Sequence, residues 1–321
     1  SLGVTAFCPT IRPCAPEVCE RLLERLAPQP VDGDEVEGAA ILGAHLDGPF
    51  FTSEYAPSHL GTSERGCLRQ SFDGGGHGDP LVAAYGSRLW AHPPAVVTLA
   101  PELPGAIDAI RRLSAEGVVV GIGRTAAGLA QCQAAVAAGA RLVTHVYSDM
   151  PLFHHRDPGP IGLLADRDAA AVEAAVSADA VEAAEGGGGK PVSPPPGRRG
   201  SKRDHSGAPA GNSSGGGTIY YSMAVEQQHS NTSNLAYSTH PDGLVLLSER
   251  KPQHDGEGAL PQCARQLQLC SGAADPSKAL LCGSAHPAKL LKLAAKGSLE
   301  PDSDADLVLL DPETFVVRAC F

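Results

Sequence analysis

The sequence predicts an α/β protein, a (β/α)8 barrel of the TIM type missing its first strand, closed by a pair of strand-like runs at the C-terminal end. Two observations carry this. Short apolar runs alternate with helix-type stretches, the pattern of a parallel sheet with crossover helices. Seven such runs precede a closing pair, and a barrel needs eight. The chain opens on SLGVTAFCPT, without an initiator Met and almost at once strand-like, and a missing first strand fits that opening. An open doubly wound sheet is the competing reading.

Residues 4–8 form the first strand-like run, and 15–27 a helix. A strand over 40–46 precedes a helix over 80–90. Strand 96–100 leads to helix 105–116, strand 118–122 to helix 126–138, and strand 142–147 ends this part. After a long interruption come strand 218–225, helix 231–238 and strand 244–247. Further helical stretches follow, then the closing runs 306–310 and 315–319. The resulting division is 1–164 for the first part of the barrel and 165–217 for an insertion. Residues 218–298 hold the rest of the barrel and the C-terminal helices, and 299–321 the closing runs, which the resemblance named below makes the remnant of a small β-sandwich.

Within the insertion, ADRDAAAVEAAVSADAVEAAE has the composition of a loose helix. GGGGKPVSPPPGRRGSKRDHSGAPAGNSSGGG has almost no large apolar residue and cannot build a core. It reads as disordered surface chain. GRRGSKR is either a docking or phosphorylation segment or plain solvated linker.

With 321 residues the chain has room for a large core, and at 4% aromatics Ala, Leu and Val must fill it. A net charge of −11 argues against nucleic-acid and acidic-membrane partners. Nine scattered cysteines without a CxxC pair read as reduced thiols in the cytoplasm. No apolar run approaches the roughly 18 residues of a membrane span.

In such a fold the chemistry sits where strands end. The predicted strand ends read HLDGPF, LAPE, GIGRT, THVYSD, EQQH and SER, so histidines, carboxylates and an arginine converge on one face. Together LGAHLDGPF, VVTLAPE, AAVAAGARLVTHVYSDM, FHHRDPGPIGLL, SAHPAKLL and SDADLVLLD resemble the N-acetylglucosamine-6-phosphate deacetylase family of the amidohydrolase superfamily. The resemblance covers most of the chain outside the insertion. It implies the barrel with a sandwich built from both chain ends. It also implies hydrolysis of the acetamide of an amino-sugar phosphate, one divalent metal ion (zinc or similar) and a homodimer.

Carried over by position, the resemblance makes Asp47 a metal ligand where the family has a longer glutamate. It makes His145 a second ligand. The third ligand position, a histidine in the family, holds Arg124 in GIGRT. An arginine has no lone pair to give a metal. His45, on the same strand face as Asp47, is the substitute ligand, and a pairing of Arg124 with Asp47 is expected to replace the metal's charge. Glu249 falls where the family has its catalytic aspartate. Ser58, His59, Ser148, Asp149, Arg156 and His229 take the substrate positions, with Arg156 on the phosphate or else paired with Asp157. Asp149 in place of a neutral residue would repel an anionic substrate. A sugar-phosphate binder without catalysis, and a truncated gene product, are the alternative readings.

Overall fold

The structure, a computed structural model, describes residues 3–28, 38–72, 78–152, 154–164, 218–224, 243–247, 260–271 and 276–321. The expectations placed on 165–217, on a helix at 231–238, and on His229 and Glu249 lie outside the described residues.

Seven parallel strands form the central sheet: β2 (Thr10–Ile11), β4 (His45–Asp47), β5 (Val96–Leu99), β6 (Val119–Ile122), β7 (Leu142–Val143), β8 (Tyr220–Ala224) and β9 (Leu244–Leu247). Each pairs with its successor in the chain, from Thr10 against His45 to Ala224 against Leu247. A doubly wound sheet reverses its strand order at a switch point. This one never does, so that alternative falls. A parallel sheet is covered on both faces, and accordingly all four residues of β5 are buried.

The helices fit the sheet through their spacing. In α4 (Ala106–Ala115), Ala106, Ala109, Ile110 and Leu113 are buried, an i, i+3, i+4, i+7 stripe that faces the core. Fully burying side chains such as Ile110 and Leu113 is worth about 1.5–3 kcal/mol each. Helix α1 (Pro16–Arg25) starts with Pro16 at a position whose N–H needs no partner, and buries Cys19 and Leu23. Helix α5 (Leu129–Ala138) buries Cys132 and Ala135.

Several elements are shorter than their apolar runs. The run at 4–8 yields only β1 (Ala6–Phe7), which pairs with β3 (Ala40–Ile41) outside the main sheet. Pro9 has no N–H to donate to a ladder, and the sheet strand begins after it, at Thr10. The run at 40–46 divides likewise at Gly43, whose φ is 110°. The helix expected over 80–90 is α3 (Pro80–Tyr85); Gly86, at φ 101°, ends it. The run at 142–147 keeps strand geometry only through Val143.

After the sheet come α6 (Leu260–Ser271), α7 (Ser277–Leu281) and α8 (Ala285–Leu290). His286 of α8 is buried, with Nδ1 2.9 Å from the Leu244 carbonyl, which fastens α8 to β9. The chain closes with β10 (Val308–Leu310) antiparallel to β11 (Val317–Cys320). All nine cysteines are free thiols. Among the described residues no helix is long and apolar enough to cross a membrane.

Candidate active site

The strands run in one direction, so their C-terminal ends share one edge of the sheet. Three of those ends supply the site. Asp47 closes β4, Arg124 follows β6 by two residues, and His145 and Asp149 lie on the loop after β7.

Arg124 and Asp47 meet there. The guanidinium donates from Nη2 to Asp47 Oδ2 at 3.1 Å, and its Nη1 bonds Asp149 Oδ2. Arg124 is 5% exposed and Asp47 6%. The pairing expected from the sequence is therefore present, with Asp149 as a second anion on the same cation. Burial alone would raise the pKa of Asp47. The charge of Arg124, the rings of His145 and His45, and the Arg124 hydrogen bond together outweigh it and hold the carboxyl below its usual value. Two atoms of the cluster, Asp47 Oδ1 and Arg124 Nε, are buried without a hydrogen-bond partner among the described residues.

His45 does not stand free to ligate. Its Nδ1 lies 3.1 Å from Thr10 Oγ1 and its Nε2 2.8 Å from Thr98 Oγ1, so it ties β2, β4 and β5 together. A neutral imidazole has one donor and one acceptor nitrogen, and both are engaged. Burial lowers its pKa; Asp47 pulls the other way and Arg124 adds to the lowering.

The loop backbone is unusual. Among the described residues seven non-glycine residues have positive φ, and four of them, Arg124, His145, Tyr147 and Asp149, lie on these two loops. Such conformations cost of order 1–3 kcal/mol each and persist only where surroundings fix them. Gly123 is one reason: a Cβ there would overlap Thr144 Oγ1. The His145 N–H donates to Ser222 Oγ at 3.3 Å and the Val146 N–H to Ser222 O at 3.0 Å, so β8 holds the second loop.

Glu102, at the end of β5, had no role assigned from the sequence. Its Oε1 accepts from Thr52 Oγ1 and, at 2.6 Å, from the Ala126 N–H; its Oε2 accepts from Thr125 Oγ1. The Thr52 N–H in turn donates to the Arg124 carbonyl at 3.1 Å. One carboxylate thus braces the loops after β4 and β6. The signal was in LAPE, an acid at a strand end, but nothing local distinguishes a brace from a reactant.

The expected substrate residues that the structure describes lie on the loops after β4 and β7. Ser58 and His59 are exposed, in a loop that Arg65 fastens by donating to the carbonyls of Pro57, Ser58 and Leu60 at 3.1 Å each. Ser148 is half-buried, and its N–H donates to His145 O. Arg156 is exposed. Asp157 accepts instead from the N–H groups of Leu129 and Gly159, capping α5, so the alternative of an Arg156–Asp157 ion pair is not what this carboxylate does. Asp149 is taken up by Arg124.

These donors fit a divalent cation poorly. The oxygen Asp47 would offer holds a guanidinium, His45 has no free nitrogen, and no group of three His, Cys, Asp or Glu among the described residues is arranged to hold a metal. Of the expected metal ligands, Asp47 holds the Arg124 guanidinium and His45 is committed to Thr10 and Thr98.

A one-directional α/β sheet with polar residues gathered at its strand ends defines an enzyme-type scaffold, and the comparisons specify it. No family model matches the chain. It is 32% identical to N-acetylglucosamine-6-phosphate deacetylase of Danio rerio, over 96% of this chain and 70% of that protein. The figures for the mouse protein of the same name are 32%, 100% and 72%. A Mycobacterium smegmatis N-acetyl-D-glucosamine-6-phosphate deacetylase variant, solved in complex with N-acetyl-D-glucosamine-6-phosphate, superposes with a TM-score of 0.67 at 22% identity. That match covers 99% of this chain and 75% of the other. The chain belongs to the N-acetylglucosamine-6-phosphate deacetylase family.

Proposed function

We propose that this chain binds N-acetylglucosamine-6-phosphate and hydrolyses its acetamide, giving glucosamine-6-phosphate and acetate. The observation that carries the reading is family membership along the whole chain at 32% identity. In this reaction water adds to the carbonyl carbon, the C–N bond breaks, and the water proton ends on the leaving amine. In our reading Glu249 takes and returns that proton. Ser58, His59, Ser148, Arg156 and His229 hold the sugar phosphate, with Arg156 on the phosphate. A divalent ion in this family would polarise the carbonyl and acidify water. The residues described above do not suit one, so no step is assigned to it. Arg124 is the cation the chain itself provides.

The same reading takes the sheet as part of a (β/α)8 barrel with a β-sandwich beside it, divided at 164, 217 and 298. It makes the protein a cytoplasmic homodimer; the free cysteines support a reducing compartment. A second reading, a sugar-phosphate binder without catalysis, draws on the buried Arg124–Asp47 pair, at positions where the resemblance puts metal ligands.

Acetate release from N-acetylglucosamine-6-phosphate, run with zinc, with manganese and after chelation, separates the two. Calorimetric binding of the same compound runs alongside. Turnover supports hydrolysis. Saturable binding without turnover supports the binder, and neither in a folded protein refutes both.

A further inference from the structure

We infer that Arg124 is the resident cation of this site and that a divalent metal ion has no place beside it. The inference goes beyond the hydrolase reading and does not depend on it, because it concerns binding alone.

The guanidinium is built in rather than swung in. Its backbone carbonyl accepts from Thr52, and the next residue, Thr125, is anchored to Glu102 together with Thr52 and Ala126. Its two terminal nitrogens are each committed to a different carboxylate, Asp47 and Asp149. A metal ion would have to take Asp47 from a contact that is already desolvated, with a like charge a few ångströms away. The polar atoms left over point to a different guest. Asp47 Oδ1 is an acceptor and Arg124 Nε a donor, and both are buried and unpartnered among the described residues. A neutral group with one donor and one acceptor, such as a water, a hydroxyl or an amide, suits both atoms. A cation suits only the first and is repelled by the second.

The test is equilibrium dialysis of the full chain against cobalt(II), with the visible absorption of the bound ion as a second readout. The natural chain is expected to show no saturable site. Arg124→His removes the like charge and supplies a lone pair, and is expected to bind cobalt at least about a hundredfold more tightly than the natural chain. Arg124→Gln removes the charge without adding a good ligand. It is expected to gain about tenfold, and it keeps the question answerable if the histidine variant fails to fold. One equivalent of cobalt bound by the natural chain and lost in His145→Ala would overturn the inference. So would folded Arg124 variants that bind no better than the natural chain.

Discussion

Replacing Arg124 by methionine isolates what the buried cation does for the fold. The side chain keeps much of its length and loses its charge and all its donors. Asp47, 6% exposed, then has neither its 3.1 Å donor nor a compensating charge, and Asp149 is left beside it. Removing one partner of a buried pair costs about 3–5 kcal/mol. For a chain of this size, with roughly 2–4 °C per kcal/mol, the midpoint should fall by roughly 6–20 °C at neutral pH. The pH dependence carries the sign. In the natural chain the Asp47 pKa is depressed, so its contribution is present above the unfolded carboxylate value near 3.9 and is lost as pH falls through the folded value. In the variant the buried carboxyl, without Arg124, is pushed up instead. The deficit should therefore be full at pH 7, shrink as pH falls from the variant's raised value towards the unfolded value near 3.9, and shrink further below it as the natural chain loses its own contribution. Thermal unfolding of both proteins at pH 7 and pH 4 measures it. A deficit under about 1 kcal/mol, or one that does not change with pH, would refute the reasoning.

Two further substitutions address the frame. Glu102→Ala removes three accepted hydrogen bonds, one from the buried Thr125, and should cost about 2–3 kcal/mol in urea unfolding; an isoenergetic variant would mean the brace is idle. Gly48→Ala puts a Cβ 2.7 Å from the fully buried Phe51 ring at a φ of 93°, and should lower stability by roughly 3 kcal/mol by the same measurement.

What the sequence made legible was whatever depends on period. Leu244–Leu247 and the buried stripe of α4 follow directly from it. Element ends did not, because backbone events set them: the first sheet strand begins only after Pro9, beyond the run at 4–8, Gly43 breaks a strand that looks continuous, and Gly86 stops a helix whose apolar pattern runs on. At the site, Asp47, Arg124 and Asp149 were legible as charged residues at strand ends, and the Arg124–Asp47 pairing followed from the ligand positions the family resemblance gives them together with their opposite charges. The closing of Asp149 onto the same guanidinium was not legible, because it depends on a loop of left-handed residues that no propensity predicts. Nor was the withdrawal of His45 into bonds with Thr10 and Thr98. Those partners lie 35 and 53 residues away in the chain, and only strand register brings them together.

The lowered pKa of His45 has an electrostatic consequence. With that ring neutral near pH 7, the fixed charges of Asp47, Asp149 and Arg124 sum to minus one. The floor of the site is then mildly negative, while Arg156 on the same edge of the sheet is positive. A molecule with a phosphate at one end and an uncharged amide at the other meets a field that sorts its ends. For the substrate proposed above, such a field would turn the phosphate outward and leave the amide to face the floor.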